Sequence, residues 1–229
     1  MKFNIRNYFI IICMFIPVLA NANDCVTSCG VARGLMQLDP YTLVSKQNLW
    51  KDIPSFNEMG QLNVVIEIPA GRTEKWETRK SDGALAWNIK KGKPRVVKYI
   101  GYPGNYGMIP QTILPKELGG DGDALDVIVL GPPLLRGSIE QARLIGVLRL
   151  LDDGEQDDKL IAVSKNSPFY KIDSIKELDQ KYPGVSNILE LWFENYKGEG
   201  EMESRGFFDV ETAESILQKA SDYYLNSYN

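Results

Sequence analysis

The chain has 229 residues, with 26 lysines and arginines, 30 aspartates and glutamates, and no histidine. That length holds one sizeable core and no obvious second domain. The missing histidine removes Ser-His-Asp and Cys-His nucleophilic sites, histidine-ligated zinc and histidine acid–base catalysis together, so proton transfer falls to carboxylates, lysine, tyrosine or metal-held water. A net charge of −4 without a long basic stripe argues against nucleic acid as a partner.

Residues 1–22 read as an export signal. Lys2 and Arg6 supply a positive start, Tyr8 to Ala20 is almost wholly apolar, and Ala20-Asn21-Ala22 fits a small-x-small cleavage site. The apolar run is shorter than the ~20 residues that span a bilayer. The expectation is an exported protein, periplasmic or secreted, beginning near Asn23; a cytoplasmic or signal-anchored protein is the alternative. Cys25 and Cys29 remain beside the new N-terminus, where an exported chain can pair them. Residues 23–60 read as an N-terminal arm and residues 61–229 as the domain.

From Leu62 onward strand patterns dominate. Leu62 to Pro69 is a buried-looking run that carries one carboxylate, Glu67. Thr73 to Arg79 alternates in strand fashion, which puts Lys75 and Glu77 on one face. Gly83 to Ile89 is another strand, and Lys90-Lys91-Gly92-Lys93-Pro94-Arg95 a solvated basic hairpin. Tyr102-Pro103-Gly104-Asn105-Tyr106-Gly107 is rich in turn formers.

The stretch Gly120-Asp121-Gly122-Asp123-Ala124-Leu125-Asp126 then runs into the apolar Val127-Ile128-Val129-Leu130. Three carboxylates this close repel one another unless a positive group sits between them. With oxygen ligands alone, that group is a hard divalent cation such as magnesium, calcium or manganese. An EF-hand loop is excluded, because Leu125 and Asp126 occupy the positions of its fifth ligand and its glycine. A phosphatase with an Asp nucleophile is set aside because the apolar run follows the acids, whereas a glycosyltransferase Asp-x-Asp stays open on these residues. Arg143 to Leu151 and Leu160 to Ser164 are further strands, with the acidic loop 152–159 between them. Ser186 to Lys197 and Val210 to Tyr224 switch to helical periodicity, the second with Asp209 as N-cap. The pattern predicts a small, mostly antiparallel barrel with helices packed outside it.

Asp121-Gly122-Asp123-Ala124-Leu125-Asp126-Val127 resembles the signature of the soluble, family I inorganic pyrophosphatases. Val65-Ile66-Glu67-Ile68-Pro69-Ala70, Lys75-x-Glu77, Tyr102-Pro103-x-Asn105-Tyr106-Gly107, the stretch from Gly146 to Lys159, and Phe193-Glu194-x-Tyr196-Lys197 follow in that family's order. The resemblance covers about residues 50–225. It implies an OB-like antiparallel β-barrel with packed helices and a site in the barrel mouth. Asp121, Asp126, Asp152 and Asp157 are implied as magnesium ligands for several ions, with manganese as a substitute. Asp123 is implied as the proton acceptor, Lys75, Arg95, Tyr106, Tyr196 and Lys197 as phosphate-binding groups, and Glu67 and Glu77 as a supporting acidic shell. Two departures stand out: Ala124 replaces the usual proline or glutamate, and a lysine expected downstream is missing from the acidic segment Gly198 to Ser204.

The implied activity is magnesium-dependent hydrolysis of pyrophosphate to two phosphates. Phosphoryl transfer to water depends mainly on positioning and on neutralising oxygen charge, which acids holding cations, together with lysine and arginine, supply without histidine. The expected partners are pyrophosphate and further copies of the chain, with no nucleic acid and no stable membrane insertion once the signal is cleaved. The competing readings are another magnesium-dependent phosphohydrolase, acting on nucleotides or polyphosphate, and a non-catalytic OB-like module that binds cations.

Overall fold

A computed structural model of the protein describes residues 30–228. The export signal and the pairing of Cys25 with Cys29 lie outside the described residues. Among the described residues there are thirteen strands: β1 (Leu35–Asp39), β2 (Thr42–Ser45), β3 (Leu62–Ile68), β4 (Trp76–Thr78), β5 (Leu85–Trp87), β6 (Ile89–Lys90), β7 (Lys93–Pro94), β8 (Asn105–Met108), β9 (Asp126–Leu130), β10 (Ile139–Asp152), β11 (Glu155–Gln156), β12 (Lys159–Ser164) and β13 (Met202–Phe208). Three α-helices accompany them among the described residues: α1 (Ile175–Lys181), α2 (Val185–Asn195) and α3 (Val210–Tyr228).

Strands β3, β8, β9, β12 and β10 pair in that order, and β10 pairs back onto β3, so the sheet closes into a five-stranded ring of the OB-like type. The ring is uneven. Four of its pairings are antiparallel, but β9 and β12 run parallel, with Val127 opposite Leu160 and Leu130 opposite Val163. Long β10 supplies the return between them, a job usually done by a helix. The wall is apolar on both faces. Val127 and Val129 join one core cluster, beneath Ala213, Leu217 and Ala220 of α3; Ile128 and Leu130 join another, beneath Leu178 of α1 and Leu189, Trp192 and Phe193 of α2.

Gly107 of β8 is required by close approach, because a Cβ there would lie 2.2 Å from the Val65 carbonyl oxygen. Its neighbour Asn105 is fully buried and uses its whole amide. The Oδ1 atom accepts from the N–H groups of Ala70 (3.1 Å) and Leu134 (2.8 Å), and Nδ2 donates to the carbonyls of Val129 (3.2 Å) and Pro132 (3.0 Å). This turn-rich stretch is thus a strand and a staple between loops.

The arm contains two strands that its mixed polarity does not announce. β1 and β2 join β5 and β4 in a second sheet, and Leu49, Trp50 and Ile53 beyond them are buried. Helix α1 and strand β13 are also absent from the sequence expectations. A signal for α1 was present: Ser174 accepts from Glu177 N–H (3.2 Å) while Glu177 accepts from Asp173 N–H (2.7 Å), a reciprocal N-terminal cap. Asp209 caps α3 as expected, accepting from Thr212 N–H (3.0 Å).

Candidate active site

The acidic stretch becomes a tight loop at the entrance of β9. Asp121 Oδ1 accepts from the Asp123 N–H (2.8 Å), and Gly122 takes the left-handed φ of 87° that this turn needs. Lys80 ties the loop down, donating to the Gly122 carbonyl (2.8 Å) and pairing with Asp123 (2.5 Å). Asp126 opens β9, and the parallel register with β12 brings it beside Lys159. Asp152 ends β10, and Asp157 is held before β12 by its N–H donating to the Leu150 carbonyl (2.9 Å).

Glu67 owes its direction to a β-bulge. The β3–β8 register shifts between Ile66 and Ile68, leaving Glu67 out of the ladder, and bulges of this kind re-aim one side chain. Lys75, just before β4, and Glu77 within it share a face as alternation demands and pair at 3.2 Å.

All twelve side chains singled out from the sequence line one cavity of about 390 Å³: Glu67, Lys75, Glu77, Arg95, Tyr106, Asp121, Asp123, Asp126, Asp152, Asp157, Tyr196 and Lys197. A larger cavity, about 730 Å³, opens between residues 54–62, β10 and α3. Its lining includes four leucines and four glutamines but only three charged side chains, Arg143, Glu214 and Asp222, so size alone does not locate the chemistry. Lys159 and Lys80 also line the smaller cavity and were missed. For Lys159 a signal existed: it begins a strand buried along its whole length, and a buried lysine must be paired. It bonds Asp126 at 2.5 Å and Asp157 at 2.6 Å. Lys197 pairs with Asp152.

These contacts set the ionisation of the site. Burial works against the Lys159 charge, but Asp126 and Asp157 more than offset it and hold the ammonium well above its usual range. Burial likewise opposes ionisation of Asp157, yet Lys159 keeps that carboxyl below its usual value. Asp121 goes the other way, raised by burial and by the charges of Asp123, Asp126 and Asp157. Burial, with Asp126 nearby, pushes Glu67 up to about 8. The Tyr106 phenol is raised well above its usual value, first by burial and then by Asp126.

Two ammonium groups approach the Tyr106 ring, Lys75 at 4.8 Å and Lys159 at 5.8 Å from its centroid. Tyr196 stacks on Trp192 at 4.6 Å, which fixes its ring. The Trp87 indole N–H donates to the Arg95 carbonyl (2.8 Å) and fixes that backbone. Among the described residues, no three acids already converge at metal-holding distances; lysines hold several of them instead. The donor set nevertheless suits a hard cation, being carboxylate oxygen throughout, and a divalent ion would relieve the repulsion from Asp123, Asp126 and Asp157 that adds to burial in raising Asp121.

A sequence profile of the inorganic pyrophosphatases matches residues 64–225. The mitochondrial inorganic pyrophosphatase of Saccharomyces cerevisiae is 34% identical over 171 residues, covering 66% of this chain and 55% of that protein. Inorganic pyrophosphatase 1 of Caenorhabditis elegans is 33% identical over 198 residues, covering 76% and 46%. The chain therefore spans about half the length of these two relatives. The crystal structure of type I inorganic pyrophosphatase from P falciparum superposes with a TM-score of 0.73 at 27% identity, covering 84% of this chain and 67% of that one. No helix among the described residues is long and apolar enough to cross a membrane. With the profile spanning most of the chain and the barrel shared with a solved relative, the chain belongs to the inorganic pyrophosphatase family.

Proposed function

We propose that the protein hydrolyses inorganic pyrophosphate to two phosphates in a magnesium-dependent reaction. One observation carries the reading: a wall of carboxylates and a set of lysine, arginine and tyrosine side chains face a single small cavity. Asp121, Asp126, Asp152 and Asp157 would hold the magnesium, which when bound neutralises phosphate charge and acidifies water. Lys75, Arg95 and Lys197 bind the phosphate oxygens, while the Tyr106 and Tyr196 hydroxyls donate to them without adding charge. Asp123 takes the proton of the attacking water as its oxygen adds to phosphorus and the P–O–P bond breaks. Glu67 and Glu77 support the acids from behind, Glu77 being held by Lys75 and by Asn88 Nδ2 (2.7 Å).

Phosphate release from pyrophosphate, with and without magnesium, tests the reading directly. Asp121→Asn and Asp126→Asn are each expected to remove nearly all activity, because losing one ligand charge weakens cation binding and alters the bound water together. Near-normal rates in both variants at saturating magnesium would refute the assignment of the acids. Export belongs to the same proposal and is supported by the composition of residues 1–22. N-terminal sequencing of protein from fractionated cells is expected to begin near Asn23; an intact Met1 on soluble cytoplasmic protein would refute it.

A further inference from the structure

One buried cation lies behind the cavity rather than in it. Arg136, in the loop between β9 and β10, is 7% exposed and does not line the cavity. Burial pulls its guanidinium down to about 10 and Glu74 partly restores it, so it stays charged at neutral pH. Its Nη2 stands 3.7 Å from Glu74 and has no hydrogen-bond acceptor among the described residues. A buried cation paired so weakly works against stability, and local exceptions of this kind are expected where function requires them.

The remaining contacts of Arg136 all lead to the site. Its Nε donates to the Glu67 carbonyl (3.0 Å), and the next residue, Gly137, donates its N–H to the Ile66 carbonyl (2.6 Å). The bulge takes Glu67 out of the β8 ladder, and Arg136 supplies that buried carbonyl with a donor. The guanidinium also lies 4.8 Å from the centroid of Trp76. Trp76 opens β4 between Lys75 and Glu77, and it packs with Val65 and Leu85 while its two neighbours face the cavity. It stacks on Trp87 at 5.5 Å, and the Trp87 indole holds the Arg95 carbonyl. From the end of β4, the Thr78 N–H donates to the Glu67 carboxylate (2.6 Å). One arginine thus joins the backbone of Glu67 to the strand that holds its carboxylate. The job suits arginine, whose planar fork donates and stacks at once.

We propose that Arg136 is a positioning residue for pyrophosphate hydrolysis: from behind the cavity it clamps the β3 bulge to β4 and so sets Glu67 in place beside Lys75 and Glu77. The inference rests on the hydrolysis proposed for the cavity. Arg136 touches no substrate and acts only through these residues.

The test is a double-mutant cycle in the full chain, with kcat and KM for pyrophosphate measured at saturating magnesium in wild type, Arg136→Met, Glu67→Gln and the double variant. Arg136→Met is expected to lower kcat/KM by about 10- to 100-fold, the cost of a small misplacement of reacting groups. The double variant should match the slower single variant to within about 2-fold, because residues that act through one another do not add. Losses that multiply in the double variant, or a rate for Arg136→Met within about 2-fold of wild type, would overturn the clamp. Arg136→Lys keeps a cation in place and takes over the cycle if Arg136→Met fails to fold; the same non-additivity with Glu67→Gln is expected. Should the wild type release no phosphate from pyrophosphate, the proposed function fails on its own. Hydrogen exchange then decides the clamp separately. The Thr78 amide should exchange at least about 10-fold faster in the Arg136 variant while amides of β12 keep their protection; unchanged exchange at Thr78 overturns the inference.

Discussion

Asp123→Asn is expected to lower the rate of pyrophosphate hydrolysis by about 100- to 10,000-fold, the usual contribution of a general base, while the fold is retained. The side chain is 62% exposed and its ion partner, Lys80, is itself on the surface, so the exchange leaves the core untouched. The loop keeps its turn, which depends on the Asp123 N–H rather than its carboxyl. Asparagine has nearly the same shape and cannot accept a proton. The water must then lose its proton to bulk hydroxide, so the acid limb of the pH–rate profile should move to higher pH and alkaline buffer should recover part of the rate. Isothermal titration with magnesium supplies the control. Activity lost in parallel with magnesium affinity, with no alkaline shift, would make Asp123 a ligand and place the base elsewhere.

Lys159→Met is expected to cost about 3–5 kcal/mol of stability in the absence of divalent cations, as removal of one partner from a buried charge cluster does. The ammonium has 3% side-chain exposure and is shared by Asp126 and Asp157, so its loss leaves two neighbouring carboxylates with no cation between them. Two further signs identify the cause. Magnesium should recover much of the loss, because a cation bound only by the folded state stabilises it. The deficit should also shrink in acid. Asp157 is depressed in the native protein, so its pairing stabilises the fold above the usual carboxylate range and is lost as pH falls through the depressed value. At that point wild type and variant converge. Urea unfolding across pH, with and without magnesium, reads all three effects. A magnesium-independent loss below about 1 kcal/mol would mean that the pairing contributes no more than a surface ion pair.

The acidic loop, the lysine–glutamate pair at the start of β4 and the tyrosine–lysine pair after α2 were legible in the sequence because each is local. A turn, a period-2 alternation or a helix end brings its members together within a few residues. The same holds for buried β3, β9 and β12, whose apolar runs announce themselves, and for the two longer helices with their 3.6-residue period. Histidine-free chemistry followed from composition alone. Strands β1 and β2 were not legible, since short, partly exposed strands acquire their pattern only from the partner they meet, here β5 for β2 and β2 for β1. The parallel pairing of β9 with β12 was hidden for a similar reason, because no residue in either run states which neighbour it will face. That pairing sets Lys159 beside Asp126. The bulge that turns Glu67 into the cavity also depends on a partner strand. Sequence named the acids and most of the cations; tertiary structure decided which cation neutralises which acid, because distances across a barrel are properties of its closure.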